Sequence, residues 1–493
     1  MASLTVDERR KTREGKELAR LKKEKARPKN KVYFWYLLLI LTLIYIIDEC
    51  ITNSPSSLED GLVGFFFNTG AEGWYDKGVS NLSLLSTASI ALMIPSCFYK
   101  PLADRFGRKI FLFINTFGMA LSILVCYSAY YAGVAGFWVY ALGFCLMRWF
   151  VTPDEQVVYI METAPKKWRG TINSLVKGLA EFGLFLIPWF RSLFMNSSEA
   201  GWQFVFLTLA VIGFAVAFLV LLFARESDVF LDERISYLEL TDEEKKALEE
   251  QRFNNKKKQG GLLTGLVYAF KDKQLRWLFI CTALYTIARA VTDRDTSIMA
   301  GAWLLSDNSN KDTVSALITQ AQFILPVGAG IVTLLAGFLS DWIGRKKASI
   351  VLLSNCTVFF VLYVVAVQYQ WNIYLIGSFL GLYLASYWVT GDTYILMVGE
   401  SSPTNLRASI MSAQSAFYGL GQGISYGATA AIFGINKNLN IGWTCLLFAL
   451  PFFVLTLTFL MIKVKETKAK AITEADEVVN QEEQAVIAKK EER

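Results

Sequence analysis

Four charged residues interrupt long apolar stretches of this sequence. Asp48 and Glu49 fall in one stretch, Arg148 in a second and Arg289 in a third. With a helical rise of about 1.5 Å per residue, all four lie roughly 20–24 Å from the charged end of their own stretch. A carboxylate next to a guanidinium can gain or lose a proton as the pair breaks and forms. We therefore expect Asp48, with Glu49 beside it, to exchange a proton in concert with Arg148.

A second group of charges lies nearer to the charged ends of the stretches, roughly 10–12 Å away. Lysine and arginine only donate hydrogen bonds, so they suit carboxylate or phosphate groups better than neutral hydroxyls. Lys177 can instead pair with Glu181, one turn further along, or with Glu155, and then contact no ligand. The predicted solute-binding residues are Asp154, Glu155, Lys177, Glu181, Arg289 and Asp392.

The chain contains two related halves. Residues 148–170 are echoed by residues 387–408, and Asp154 and Asp392 are separated by the same 238 residues as Glu162 and Glu400. One consequence is that each element carrying a charged residue in the first half has a counterpart in the second.

A further alignment, at an offset of 240 residues, sets Glu49 opposite Arg289. Across a central cavity these two could form an ion pair that opens and closes with the halves, or each could pair locally. The run Asp293-Arg294-Asp295 lies one turn beyond Arg289. We interpret it as an outer gate or a helix end and not as a binding site.

The composition indicates a membrane protein, because 54% of the 493 residues are hydrophobic, 14% are aromatic and only 19% are charged. Segments of about 20 apolar residues can span a bilayer. Twelve such segments, six in each half, lie near 33–57, 79–99, 110–131, 136–161, 170–194, 202–224, 275–304, 314–338, 348–367, 373–398, 408–434 and 441–462. The expected fold is an all-α integral membrane protein with twelve transmembrane helices in two pseudo-symmetric six-helix bundles.

Lysine and arginine cluster before the first span, between spans six and seven, and after span twelve. By the positive-inside rule both termini are expected to be cytoplasmic, in a multi-pass protein of the cell membrane with no cleavable signal sequence. The predicted domains are a cytoplasmic arm (1–31), the first bundle (32–224), linker helices (225–272), the second bundle (273–464) and a cytoplasmic tail (465–493).

Several other functions are disfavoured. The net charge of +6 follows the topology and gives no sign of nucleic-acid binding. The seven cysteines fall in spans without clustering, and the chain has no histidine, so we expect no disulfide, no metal site and no cofactor. An enzyme is the weakest interpretation, because no nucleophile with its base is apparent.

Two short turns carry a duplicated motif. Residues 100–109 read KPLADRFGRK, and residues 337–346 read GFLSDWIGRK. The chain here resembles the major facilitator superfamily, whose loop signature is G-x-L-A-D-R-x-G-R-K, although Lys100 stands where that family has glycine. The resemblance implies that this motif holds neighbouring helices together on the cytoplasmic side. Its expected members are Asp104, Arg105, Gly107, Arg108, Asp341, Gly344, Arg345, Glu162, Arg169, Glu400 and Arg407.

Further motifs resemble the sugar-porter and organic-ion branches of that superfamily. They are Y-x-x-E-x-x-P-x-x-x-R-G from Tyr159, Glu226-Ser227 after span six and Glu466-Thr467-Lys468 at the end of span twelve. In those sugar porters a glutamine stands where this chain has Lys177. The resemblance therefore implies a substrate that is an organic anion, such as a sugar acid.

The expected function is secondary transport of a sugar, a sugar acid or another small organic anion by alternating access, in proton symport, by a monomer in the lipid bilayer. The alternatives are a proton-independent uniporter and a nutrient sensor that keeps the fold without transporting. Sensors of this kind usually carry a long cytoplasmic extension, and the predicted tail here is short.

Overall fold

A computed structural model describes residues 6–26, 31–68, 73–92, 107–151, 159, 169–195, 199–241, 243–245, 262–288, 294–304, 311–403, 407–435 and 440–467. Every regular element in these ranges is helical. Seven helical stretches within them are long and apolar enough to cross a membrane. The other predicted spans correspond to helices that are short, broken or more polar.

The first half begins with an arm helix, α1 (Val6–Lys25), followed by its six spans. These spans consist of α2 (Lys31–Ser57), α4 (Trp74–Ile90), α5 (Arg108–Ser128), α6 (Gly136–Phe150), the pair α7 (Arg169–Gly183) and α8 (Leu186–Phe194), and α9 (Trp202–Phe223). The short helix α3 (Glu59–Phe67) lies between α2 and α4, inside the segment that the sequence had suggested as the largest outer loop.

The linker contributes α10 (Asp228–Glu239) and α11 (Leu262–Lys271), and the second half follows. Its spans are α12 (Lys273–Ile287) with its extension α13 (Asp295–Leu304), α14 (Lys311–Ile343), α15 (Arg345–Gln368), α16 (Ile373–Ser401), α17 (Arg407–Ile435) and α18 (Ile441–Lys463). The twelve rods match the twelve predicted spans.

The two halves pack in the same way. In the first half α5 packs on α6 and α9, and in the second the equivalent α15 packs on α16 and α18. Between the halves, α4 packs on α17 and α7 packs on α14. Large apolar side chains, such as Leu142, Leu222 and Leu447, are exposed on the outer surface. Such a surface suits lipid, because an apolar surface of this extent is rare on soluble monomers.

The chain direction defines two faces of the molecule. The motif turns at Gly107 and Gly344 lie on one face, here called the motif face, together with the beginning of α2 and the end of α18. The helix α3 lies at the opposite, distal face. There Phe65 and Phe66 pack against the buried ring of Trp202, which fixes α3 to the first half.

The arm and linker helices pack against each other on the motif face. Ion pairs join α1 to the linker, for example Glu17 to Arg234 at 2.9 Å and Glu14 to Lys245 at 3.0 Å. Thr241 and Glu244 form a capping box, since the Glu244 carboxylate accepts from the Thr241 amide at 2.8 Å and the Glu244 amide donates to the Thr241 hydroxyl at 3.4 Å. The charged arm is therefore an ordered helix against the linker.

Candidate functional site

The predicted motif turns share one geometry in both halves. Gly107 and Gly344 have φ values of 108° and 99°, which favour glycine. A carboxylate from the end of the same half caps the helix that follows each turn. Glu226 accepts from the Arg108 amide at 2.9 Å, and Glu466 accepts from the Arg345 amide at 2.7 Å. A Cβ on either glycine would overlap that carboxylate.

In the second half the motif extends into a charge network. Arg345 pairs with Asp341 at 2.5 Å and with Glu400 at 3.2 Å, and the Thr467 hydroxyl donates to Glu400 at 2.7 Å. The network thus links the beginning of α15 to the end of α16 and to the segment after α18.

The corresponding network of the first half falls largely outside the described residues. Asp104, Arg105 and Glu162 lie in undescribed segments, and the side chains of Arg169 and Arg407 are likewise outside what the structure describes. Burial raises the pKa of Glu226, and hydrogen bonds from the backbone amides of Ser227, Lys109 and Arg108 lower it in part.

Within the bundle, the structure joins two predicted solute-binding residues across the halves. The Lys177 ammonium on α7 donates to the Asp392 carboxylate on α16 at 2.8 Å. The sequence had suggested Glu181 or Glu155 as the partner. The interpretation of Glu181 as that partner is corrected, because α7 packs on the second half and brings Asp392 within reach, while Glu155 lies outside the described residues.

Glu181 is also part of this cluster. It is buried, with 7% of its surface exposed, and the charges of Glu49, Lys177 and Asp392 all act on it. The charge of Glu49 therefore reaches this cluster, while its expected separation in depth from Lys177 stays a prediction. The helices α2 and α7 pack together there, and the Cys50 thiol donates to the Gly183 carbonyl oxygen at 3.4 Å.

The expected pair of Asp48 and Arg148 is not formed among the described residues in this conformation. Asp48 is buried on α2, whereas the Arg148 guanidinium lies 5.3 Å from the Phe144 ring centre and lines a cavity beside Thr52 and Asn53. These two residues are about one helical turn further along α2 than Asp48. Arg289, Asp154 and Asp293 lie outside the described residues, so the Glu49–Arg289 pairing stays a prediction.

At the distal face, neighbouring residues of α3 form two buried ion pairs, one between the halves and one within the first half. Glu59 pairs with Arg294 of the second half, and Arg294 also donates to the Ser83 hydroxyl at 2.8 Å. Asp60 pairs with Arg191 through bonds of 2.8 and 2.5 Å. We call Glu59, Asp60, Arg191 and Arg294 the distal seal.

Each half contributes a residue of the distal seal that bonds to the other half across the seam, as we call the interface between the halves. Arg191 belongs to the first half, and it donates to the hydroxyls of Thr319 at 2.9 Å and Ser315 at 3.1 Å on α14. Each of the four seal residues is largely buried. Arg294 thus fits the predicted gate, and Asp295 begins α13, as a helix end would. Arg191 was not singled out from the sequence, although a charge within its apolar run LIPWFRSLF is a usable signal.

Below the seal, two small cavities lie along the seam. The first has a volume of about 40 Å³ and is lined by residues that include Asn53, Arg148 and Arg294. The second, about 30 Å³, is lined by residues that include Asn53, Gln322 and Trp388. Each cavity has room for only about two or three water molecules. A solute site here would have to widen before a sugar-sized molecule could enter.

Comparisons with known proteins agree with this architecture. The sequence family described as "Sugar (and other) transporter" matches residues 37–479. No curated protein matches the chain by sequence.

Solved structures with the same fold are distant in sequence. The xylose transporter XylE from E. coli, in a partially occluded inward-open conformation, superposes with a TM-score of 0.65 at 16% identity, over 90% of this chain and 100% of that one. A bacterial homologue of the human lysosomal transporter Spinster gives a TM-score of 0.52 at 15% identity, over 88% of this chain and 96% of that one. The duplicated motif turns, the twelve helical rods and the family match together establish that the chain belongs to the sugar transporter family of the major facilitator superfamily.

Proposed function

We propose that the protein is a secondary transporter that moves a sugar or a sugar acid across the cell membrane by alternating access, with protons as the coupling ion. The observation that carries this proposal is the distal seal. Removing one partner of a buried ion pair costs about 3–5 kcal/mol. The Glu59–Arg294 pair crosses the interface between the halves, and the arginine of the second pair, Arg191, donates hydrogen bonds across it. This arrangement, above polar cavities that both halves line, suits a gate that opens and closes.

The moving parts are the two bundles, residues 32–224 and 273–464, which rock about the seam. Residues 225–272 connect them, and both termini are cytoplasmic, with the motif face inside. When the distal seal opens, the motif networks and the Lys177–Asp392 pair hold the other end of the seam together. The substrate and the proton shift the equilibrium between the two conformations, open at the distal face or open at the motif face, because they bind more tightly to one than to the other.

Asp48 carries the coupling proton in this proposal, with Glu49 beside it. The burial of Asp48 in α2 supports the assignment, since an ionised group in a span costs about 2.5–3.5 kcal/mol and is rarely kept without a role. The charged groups around the Tyr45 hydroxyl on the same helix are Asp48, Glu49, Lys177 and Asp392.

The test is uptake of labelled sugars and sugar acids into proteoliposomes that contain the purified protein. An imposed pH gradient should drive accumulation above equilibrium. In Asp48→Asn, accumulation should disappear while exchange of labelled for unlabelled solute persists. Full accumulation in that variant would contradict the assignment and favour a uniporter or another proton site. Binding without any flux, for every solute, would identify a sensor.

A further inference from the structure

The two seam cavities are adjacent, since Asn53 and Ser56, one turn of α2, line both of them. Among the residues that line each cavity, at least one carries a buried polar atom with no hydrogen-bond partner in the described part of the protein. Such orphaned atoms are rare in folded proteins, because each costs the desolvation of a polar group. They indicate which groups of a ligand the site is built to accept.

The first cavity presents donors. The Nε atoms of Arg148 and Arg294 are both buried and lack a partner among the described residues. Among the described lining residues Glu59 is the one carboxylate, and it pairs with Arg294. Two guanidinium groups beside this one carboxylate leave an excess of positive charge in the described lining, which suits an anionic group.

The second cavity presents acceptors and a ring. The Gln322 amide oxygen is buried without a partner in the described part of the chain, while its nitrogen donates to the Ser57 carbonyl oxygen at 3.2 Å. The Asp295 carboxylate and the Trp388 indole also belong to the lining. Acceptor oxygens beside an aromatic face suit the hydroxyls and the apolar face of a sugar ring.

We propose that the transported solute is a sugar that carries a carboxylate, held across both cavities. Its carboxylate binds between Arg148 and Arg294, and its ring lies against Trp388 with hydroxyls donating to Gln322 and Asp295. This inference rests on the proposed transport function and deepens it. It also moves the anion-binding role away from Lys177, which is engaged by Asp392.

Glu59 gives the site a further property. The ligand carboxylate and the Glu59 carboxylate are the same functional group, and both address Arg294. Binding therefore competes with one of the two ion pairs of the distal seal. A carboxylated sugar that enters would weaken the seal, whereas a neutral sugar would leave the Glu59–Arg294 pair intact.

The test compares binding of D-glucuronate with that of D-glucose, which has the same ring without the carboxylate, to the purified full-length chain. The ratio of their affinities cancels changes that affect both sugars alike. The unmodified protein should prefer the acid. Arg148→Gln should lower the acid affinity about 10- to 100-fold and leave glucose within a few fold. Arg148→Lys, which keeps the charge, should retain a preference for the acid.

A second pair of variants separates cavity charge from gate opening. Glu59→Gln removes the competitor for Arg294 and should raise the ratio of acid to glucose affinity by at least about 5-fold. Asp60→Asn is the matched control, because it breaks the neighbouring ion pair of the same seal, and neither Asp60 nor Arg191 lines the first cavity. In Asp60→Asn, the ratio of acid to glucose affinity should equal that of the unmodified protein.

The inference is overturned if glucose binds as tightly as D-glucuronate, or if Arg148→Gln leaves the ratio unchanged. It is equally overturned if Asp60→Asn raises the ratio as much as Glu59→Gln. A panel with D-galacturonate and D-gluconate covers other acids, and binding of none of them also overturns it. Uptake of a neutral sugar would then leave the transport function standing, so the two failures can be told apart.

Discussion

Lys177 and Asp392 form an ion pair that crosses from one half of the molecule to the other. The two residues are 215 positions apart in the chain, and their side chains meet at 2.8 Å on the motif side of the seam cavities. The lysine side chain is 22% exposed and the aspartate 46%, so water screens the pair in part. A contact of this kind can break when the halves separate at the motif face and form again when they close.

Neutralising either member of this pair should slow transport, because one of the contacts that closes the motif side is lost. We expect Lys177→Gln and Asp392→Asn each to lower the turnover about 10-fold. The reversed pair Lys177→Asp with Asp392→Lys should recover part of it, whereas additive losses would show that the two residues act independently. The measurement is the initial rate of exchange in proteoliposomes.

The distal seal should control access from the distal face. Asp60→Asn leaves the Arg191 guanidinium buried without its carboxylate, which costs about 3–5 kcal/mol in the closed state. A cysteine at Ser80, whose hydroxyl donates to the Ala430 carbonyl oxygen across the seam at 2.8 Å, reports opening. Labelling by a membrane-impermeant maleimide should be several-fold faster in the Asp60→Asn background. Ser192→Ala serves as control, since among the described residues the Ser192 hydroxyl bonds to the Trp189 carbonyl oxygen of its own helix, at 2.7 Å. Equal rates in both backgrounds would argue against a gate here.

The turn at Gly344 should not tolerate a side chain. Gly344→Ala places a Cβ at a φ of 99° and against the Glu466 carboxylate that caps α15. We expect a loss of about 1–2 kcal/mol from the backbone alone, seen as a lower thermal unfolding midpoint. Gly399→Ala is the matched control, because in the described part of the chain the Met411 sulfur, at 3.9 Å, is the one atom that would come near its Cβ. A midpoint for Gly344→Ala no lower than that of Gly399→Ala would contradict the account of the cap.

The orientation in the membrane can be checked without a substrate. The basic segments predict that a reporter fused after Arg493 and a tag inserted at Gly260 are both cytoplasmic. Protease protection in sealed vesicles of known orientation measures this. Finding the two on opposite sides would mean an odd number of spans between them and would contradict the twelve-span topology.

The duplicated features were accessible from the sequence, because they depend on local chemistry. Gly107 and Gly344 follow from the motif spacing, and each positive φ is a property of its own turn. Glu226 and Glu466 also belong to motifs that were identified in the sequence. Their exact partners are backbone amides, which a sequence comparison does not distinguish from side chains.

The contacts across the seam could not be predicted in the same way. Depth along a helix does not say which residues contact each other, because helix tilt and packing decide it. The helices α2 and α7, for example, contact each other at Cys50 and Gly183. The Asp392 partner of Lys177 depends on how the two halves are placed against each other. Arg191 was visible as a charge in an apolar run, yet only the fold brings Asp60 to it.

The central claim is that solute and protons cross the membrane together. The most direct measurement uses proteoliposomes filled with a pH-sensitive dye, to which sugars and sugar acids are added in turn without any imposed gradient of pH. We expect at least one solute to acidify the interior at a rate that follows its own concentration gradient, and Asp48→Asn to take up that solute without acidification. Uptake by the unmodified protein with no change in internal pH for any transported solute would contradict the proton-coupled account.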